Sequence, residues 1–551
     1  MPDNSTIADN FSLLSKLMDI HGENSFKAKS FANAAFTVEK LTTSLQDMPS
    51  GEIAKIKGFG ESISKSIQEM LQTEQWSLLD SYIEKTPAGI LEMMKIKGLG
   101  PKKIASIWKD LEVESLGELL YACNENRLTL LKGFGQKTQD SVKQSIEFYF
   151  SNRDRYLFAE VETLANELEK EIQILFAPAA AALTGQIRRQ EIIIDEIELV
   201  IDASPALIQE KLTSLTFIEE TPNSLLFQHA QKVKVRIYPS AIDDFGKSLF
   251  LTTATPAFIE SFFAAGGAAG LTPGATEEQI FAQANMPYLP PCLRNDGSML
   301  AVQQLPDLIT PQDIKGIIHS HSTWSDGQYS LEEMALAAKA QGFEYLVISD
   351  HSRSAFYANG LSIERIAEQH GQIDALNQQL APFRIFKSIE ADILNDGSLD
   401  YPDEILASFD LVIASVHSNL KMSEEKAMSR LLKAIENPYT TILGHMTGRL
   451  LLSRNGYPVD HRRIIDACAE HNVVIELNAH PRRLDIDWEW IPYAREKGVL
   501  LSIDPDAHSI AGYKDVYYGT LAARKGGLTA AGNLSSYSKE ALEKYIHNRK
   551  K

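Results

Sequence analysis

Cysteine is scarce. Three in 551 residues, Cys123, Cys292 and Cys468, are too few and too scattered for a disulfide framework or a cysteine-type zinc site, and they predict a reduced, cytosolic protein. Long apolar runs are also missing: stretches such as residues 473–477 fall far short of the roughly 20 residues that a membrane span needs. The first 20 residues carry Asp3, Asp9 and Asp19 and no apolar core, which predicts neither a secretory signal nor a basic transit peptide. Positive charge is in deficit. The formal net charge of −19 excludes a protein that coats nucleic acid over its whole surface, but not a local basic face. The deficit is uneven. Residues 1–150 hold 17 Lys and Arg against 20 Asp and Glu, whereas the other 401 residues carry a net −16 and have carboxylates available for metal sites. With 44% hydrophobic residues the chain is globular, and its length predicts three or four domains at about 100–200 residues each.

What is present includes a repeat. Ile56-Lys-Gly-Phe-Gly60, Ile96-Lys-Gly-Leu-Gly100 and Leu131-Lys-Gly-Phe-Gly135 share one pattern, and helical periodicity follows each, over 62–71, 102–111 and 137–148. A short amphipathic stretch precedes each copy, so the unit reads as helix, tight glycine turn, helix. Gly58 and Gly60, Gly98 and Gly100, and Gly133 and Gly135 permit positive φ and leave backbone N–H groups uncovered. At a helix N-terminus such groups take a phosphate oxygen without reading a base. Lys57, Lys97, Lys102, Lys103, Lys132 and Lys137 add charge to the turns. One such pentad fits a plain turn between packed helices equally well; three, each with lysine before the first glycine, point to nucleic acid. They resemble the helix-hairpin-helix DNA-binding motif.

Residues 151–310 read as mixed α/β, with an amphipathic helix over 156–175 and strand-like alternation over 191–201 and 232–238. The Pro-rich stretch 287–291 and the polar segment 294–298 mark a boundary. Eleven of the thirteen histidines follow it. Apolar strand-like runs end in metal-ligand residue types: 314–318 leads to His319-Ser-His321, 345–349 to Asp350-His351, 384–389 to Glu390, 411–416 to His417, 441–443 to Gly444-His445, and 499–503 to Asp504-Pro-Asp506-Ala-His508. Helical segments such as 331–341 and 423–436 separate them. Buried strands alternating with helices predict a parallel sheet, and active groups at the strand C-termini predict a barrel-like α/β enzyme.

Histidine and carboxylate without cysteine suit Zn²⁺, Mn²⁺ or Fe²⁺. Period-2 alternation predicts that His319 and His321 point to one side, with Asp326 just beyond. With His351, Glu390, His417, His445, Asp506 and His508, nine donors are available, too many for one tetrahedral ion and enough for two or three. Such a cluster binds a phosphate ester, activates water near neutral pH and stabilises the leaving oxygen. His370, His461, His471 and His547 fall in helical polar stretches and read as surface; His480 reads as surface or pocket lining. Arg449, Arg482 and Arg483 fit either phosphate contacts or loop salt bridges.

The segments His319-Ser-His-Ser-Thr-Trp-Ser-Asp-Gly327, Ser349-Asp-His-Ser352, Gly444-His-Met-Thr-Gly-Arg449, Glu476-Leu-Asn-Ala-His-Pro-Arg-Arg-Leu484 and Asp506-Ala-His508 resemble the PHP (polymerase and histidinol phosphatase) domain. The whole chain resembles a bacterial family X DNA polymerase that ends in such a domain. The resemblance implies a multidomain α + α/β fold. It places a helical DNA-end-binding domain at 1–85, a fingers-like helix-hairpin-helix region at 86–150, a polymerase palm at 151–240, a thumb-like part at 241–295, a linker at 296–311 and a distorted (β/α)7-type PHP barrel at 312–551. It implies one ion on His319, His321, Glu390 and Asp506, the residues that would carry catalysis. A second would sit on Glu390, His417 and His445, and a third on Asp326, His351 and His508. It implies manganese, with zinc or iron as alternatives, and 3′–5′ exonuclease, endonuclease or 3′-phosphatase activity on gapped, nicked or 3′-ended DNA without sequence preference; the composition adds a cytoplasmic location away from membranes, and the oligomeric state stays open with a monomer as the expectation.

The palm departs from that pattern. The family has a Gly-Ser, paired arginines and then Asp-x-Asp; here Gly185 and Arg188-Arg189 precede Asp195-Glu-Ile-Glu198, so that Glu196 and Glu198 stand at the carboxylate positions. The third acidic position reads as Lys234, and Thr252-Thr-Ala-Thr-Pro256 replaces a Gly-Ser turn. A longer carboxylate misplaces a metal and a cation repels one, so polymerase activity is expected to be lost. The lysine on which some relatives form a Schiff base matches Ser66, with Lys65 about 100° round the helix, and lyase activity is not expected. Competing readings are a small-molecule phosphatase, a non-enzymatic DNA scaffold and a live polymerase.

Overall fold

The computed structural model describes residues 2–550 other than 42, 303 and 304, with 268 and 269 described by backbone alone. The chain divides into two compact units, Met1–Arg153 and Asp154–Lys551.

The first unit is helical. Its longer helices are α1 (Asn4–His21), α2 (Ser25–Glu39), α3 (Glu61–Thr73), α4 (Pro101–Leu111) and α5 (Gln136–Ser151). α1 starts where the Asp3 side chain accepts from the Thr6 N–H, and it stops at Gly22, whose φ of +80° only a residue without Cβ adopts cheaply. Its Ile7, Phe11, Leu14 and Met18 recur at helical spacing and are buried against Phe31 of α2 and Trp76. The Phe11 and Trp76 rings meet edge to face, 5.2 Å apart. A second core forms around Ile104, Ile107, Leu119, Val142 and Ile146. In every hairpin the residue between the two glycines is an apolar anchor: Phe59, Leu99 and Phe134 are buried while the glycines on both sides are exposed.

The second unit begins with α6 (Phe158–Phe176), which packs on a five-stranded sheet of β1 (Ala181–Thr184), β2 (Ile197–Asp202), β3 (Thr216–Glu220), β4 (Leu225–Gln228) and β5 (Lys234–Ser240), in the order β1-β2-β5-β4-β3. β2 and β5 run parallel with Glu198 level with Arg236. Leu199, Ile201, Val235 and Ile237 are buried with Leu168 and Ile172 of α6, each contributing about 1.5–3 kcal/mol by leaving water. Alternation then places Glu196, Glu198, Arg236 and Tyr238 on the opposite face. Phe250, Phe258, Phe262 and Phe281 form a separate aromatic cluster.

Seven parallel strands follow: β6 (Gly316–Ser320), β7 (Tyr345–Ile348), β8 (Arg384–Asp392), β9 (Leu411–Ser415), β10 (Ile442–Leu443), β11 (Val474–Asn478) and β12 (Leu501–Asp504), paired in sequence order. A parallel bridge from Ser320 to Ala507 nearly closes the ring between first and last strands. Helices alternate with the strands, among them α7 (Leu331–Ala340), α8 (Ile363–Leu380), α9 (Glu424–Ile435), α10 (His461–His471) and α11 (Val516–Lys525). Ser330 and Glu333 form a capping box on α7, and Ser423 caps α9. Phe386, Leu411, Ile413 and Val474 share one apolar cluster with Leu542 and Ile546 of the C-terminal helix α12 (Lys539–Arg549). Two and four residues further along, the same period-2 rows carry Ser388 and Glu390, Ser415, and Glu476 and Asn478. The strands therefore turn from apolar to polar toward their C-terminal ends, which is where a barrel of this kind builds its site.

Candidate metal centre

All nine sequence-predicted ligands come together at those strand ends. The delivery of His319 and His321 differs from the regular alternation expected. Register slips between Ile317 and Ser320, and His319 lies at φ +58°, a left-handed conformation that costs a non-glycine residue about 1–3 kcal/mol. His321 lies beyond the end of β6. This bulge, with the bridge to Ala507, turns both imidazoles to one side, their ring centres 5.3 Å apart. Asp506 likewise has φ +52°.

Glu390 is fully buried and central. Its Oε1 lies 3.0 Å from His445 Nε2, 3.1 Å from His417 Nε2 and 3.3 Å from His319 Nε2, and its Oε2 lies 2.9 Å from His351 Nδ1. Asp506 Oδ1 is 3.1 Å from His321 Nε2 and 3.5 Å from His319 Nε2. Asp326 reaches His508 Nε2 at 3.4 Å and His351 Nε2 at 3.6 Å. Three donor sets have ligand atoms within 4.8 Å of one another: His319, His321 and Asp506; His351, Glu390 and His417; and His321, Asp326, His351 and His508.

The electrostatics fit a cation. Burial pushes the Glu390 and Asp506 carboxyls up, but the neighbouring histidines outweigh it and hold both well below the carboxylate range. Burial pulls His417 down, yet Glu390 and Asp392 raise it to about 10; Asp326 and Asp506 likewise raise His508 to about 9 against burial. His321, buried beside His508 and His351, falls to about 3. Five buried atoms here, His319 Nε2, His321 Nδ1, His351 Nδ1, His445 Nδ1 and Glu390 Oε2, make no well-aligned hydrogen bond, though His351 Nδ1 and Glu390 Oε2 face each other at 2.9 Å. A buried orphan costs about 1–3 kcal/mol, and five oxygen and imidazole donors in one place fit divalent cations of the zinc, manganese or iron type.

Sequence reading missed the groups that orient these ligands. Glu476 accepts from His319 Nδ1 and, at 2.6 Å, from the His445 backbone N–H; Asp392 accepts from His417 Nδ1; the Asp506 carbonyl accepts from His508 Nδ1 at 2.9 Å. Each bond holds a proton on Nδ1 and turns Nε2 toward the cluster. The available signal was a lone charge, Glu476, inside the apolar run 473–477.

Of the three arginines, Arg483 alone faces the cluster, 3.6 Å from Asp506 Oδ2. The Arg449 guanidinium is held by Asp487 and by the carbonyls of Arg483 and Leu484, and Arg482 pairs with Glu160 of α6 at 3.1 Å. His480, with Asp506, His508 and Lys514, lines a cleft of about 400 Å³. His370 and His461 are half-buried rather than surface residues; they pack on Phe409 and Trp490.

The carboxylates of the five-stranded sheet, expected above to belong to a palm, have different neighbours. Glu196 is paired with Arg236 through two bonds, one of 3.1 Å. Glu198 accepts from the Gln186 N–H at 2.9 Å and the Tyr238 hydroxyl at 3.0 Å, while burial pushes its carboxyl up. Gly185, at φ +60°, is what admits Glu198: a Cβ there would stand 1.6 Å from Oε2. The cation that engages these acids is Arg236 rather than Lys234. Arg188 is tied to Glu277 and Thr253, Arg189 to Glu191 and the Thr253 carbonyl, and Thr252 and Thr253 to Thr184 at 2.7 and 2.9 Å.

In the hairpins Gly58, Gly98 and Gly133 have φ of +95°, +91° and +89°. Gly60, Gly100 and Gly135 are the N-caps of α3, α4 and α5, with open space where a Cβ would stand. Lys102 is exposed, whereas Lys103 bends back to the Gly98 carbonyl at 3.2 Å. Ser66 is buried, and Lys65 is exposed and paired with Glu61 at 2.7 Å.

Residues 2–76 match the helix-hairpin-helix domain model and residues 90–147 the SAM-like helix-hairpin-helix tandem model. Over 96% of its length the chain is 32% identical to 96% of the DNA polymerase/3′–5′ exonuclease PolX of Bacillus subtilis strain 168. Its C-terminal part, 34% of the chain, is 31% identical to 74% of a "Probable phosphatase" of Caldanaerobacter subterraneus subsp. tengcongensis and 30% identical to 78% of one from Acetivibrio thermocellus.

Proposed function

The chain belongs to the bacterial DNA polymerase/3′–5′ exonuclease PolX family, and from that premise we propose that it is a metal-dependent phosphoesterase acting at DNA 3′ ends, as exonuclease or 3′-phosphatase, through the barrel and not through the palm. One observation carries this reading: the barrel acid Glu390 is faced by four imidazole nitrogens, with orphaned buried atoms around it, whereas the palm acids meet an arginine, a tyrosine hydroxyl and a backbone N–H.

Divalent cations, manganese being the expected ones, would be held by His319, His321, Asp326, His351, Glu390, His417, His445, Asp506 and His508, and when bound supply Lewis acidity and lower the pKa of water. The protein's own part is orientation. Glu476 and Asp392 fix the rings of His319 and His417, and the buried walls exclude bulk water from Glu390. Arg483 stands where a phosphate oxygen beside Asp506 can be bound. The three hairpins hold the DNA by its backbone, so that binding is indifferent to sequence.

The test is a labelled oligonucleotide ending in 3′-OH or 3′-phosphate, incubated with Mn²⁺ and the protein or its His319→Ala/His321→Ala variant. Nucleotide or phosphate release that disappears in the variant supports the proposal; release that persists in it places the chemistry elsewhere.

A further inference from the structure

Phe356 and Tyr357 stand out because they face the wrong way for folding. They occupy a 3-10 turn, Phe356–Ala358, in the loop that follows His351. The small residues Ala355 and Ala358 and the nearby Leu361 are buried, while Phe356 and Tyr357 are 90% and 73% exposed. Folding normally buries a phenylalanine ahead of alanines. The loop is also firmly held. Leu361 N–H bonds the His351 carbonyl at 2.9 Å, Ser354 N–H bonds Asp400 at 2.6 Å, and Arg365 bonds the Asn359 carbonyl at 2.8 Å. The two rings are therefore presented on a fixed turn.

Their place relates them to the metal centre. The Tyr357 ring centre lies 6.3 Å from that of His351. The neighbouring charges acting on its hydroxyl include Asp392, Glu390, Asp326 and Arg483, which places the ring at the edge of the cluster. A flat group is the complementary partner of an exposed ring beside the cluster, and a nucleobase is the flat part of a phosphodiester substrate. Aromatic rings bind unpaired bases by stacking whatever their identity. Resting on the phosphoesterase reading above, we propose that Phe356 and Tyr357 form a stacking step for unpaired bases at the 3′ end.

The first measurement is fluorescence of a single-stranded oligonucleotide with 2-aminopurine at its 3′ end, titrated with full-length protein in EDTA. Quenching is expected for the wild type and for Phe356→Trp/Tyr357→Trp, and its loss for Phe356→Ala/Tyr357→Ala and Phe356→Leu/Tyr357→Leu. The second measurement is Mn²⁺-dependent turnover. In the Ala variant, kcat/KM on the oligonucleotide should fall about tenfold or more, chiefly through KM, with hydrolysis of bis(p-nitrophenyl) phosphate unchanged. Unaltered quenching in the Ala variant overturns the proposal. So does full activity of the Leu variant, which would mark a general apolar contact, or equal loss on the small ester, which would make the pair a prop for the cluster. If the wild type cleaves no DNA end, the phosphoesterase reading fails, while the quenching series still decides the stacking.

Discussion

In the palm, Glu196 and Glu198 each meet hydrogen-bond donors, from Arg236, Tyr238 and the Gln186 backbone; in the barrel, Glu390 meets four imidazoles, of which His319 and His417 turn Nδ1 outward to Glu476 and Asp392. The residue types at the two places are alike, and both lie within one compact unit. What separates them is the sign of what the neighbours offer. A donor completes a carboxylate's coordination and leaves no need for a cation. Carboxylates gathered among imidazoles leave a negative field that protons or metal ions balance: Glu390 and Asp392 raise His417, and Asp326 and Asp506 raise His508, against the effect of burial. An acid pair on a strand is therefore not evidence of a metal site until its surroundings are known.

Removing the central acid of the barrel gives the largest expected contrast. Glu390→Ala should lower Mn²⁺-dependent hydrolysis by about 10³-fold or more, because four imidazoles lose their shared partner. Glu196→Ala and Glu198→Ala should leave it within about twofold, since palm acids are outside the reaction. Equal losses from both sites would erase the distinction. One step outward, Glu476→Gln and Asp392→Asn should each cost about 10–100-fold in metal affinity or activity, by releasing the rings they orient; metal titration of each variant tests this. A thermal scan with Mn²⁺ at 100 times its Kd should show about 2.7 kcal/mol of added stability, kept in Glu196→Ala and absent in Glu390→Ala. The smallest effect belongs to the hairpins: Lys102→Ala should reduce the salt dependence of DNA binding by about one phosphate contact without altering hydrolysis of a small ester.

Much of this was legible in the sequence. The candidate ligands other than Asp326 could be named because each stands at or just past the end of an apolar strand run, and the hairpins because two glycines and an apolar anchor repeat three times. Three things were not legible. The bulge that lets His319 and His321 share a side depends on closing the barrel at Ser320 and Ala507, a contact between residues far apart in the chain. The identity of the palm cation depended on strand register. Counting along the chain pointed to Lys234, but pairing of β2 with β5 sets Arg236 beside the acids. The fate of the arginines depended on loop folding, which turns Arg449 onto Asp487 and two carbonyls and leaves Arg483 at the cluster. Local pattern identifies which residues carry chemistry; long-range pairing decides which of them meet.

The division of labour between barrel and palm is tested most directly on a labelled gapped duplex with Mn²⁺ and all four deoxynucleotides, resolved on a denaturing gel beside the His319→Ala/His321→Ala variant. The account predicts shortening or 3′-phosphate loss by the wild type, neither in the variant, and no extension in either lane. Extension that survives in the variant and vanishes in Glu196→Ala would show a working palm and contradict it.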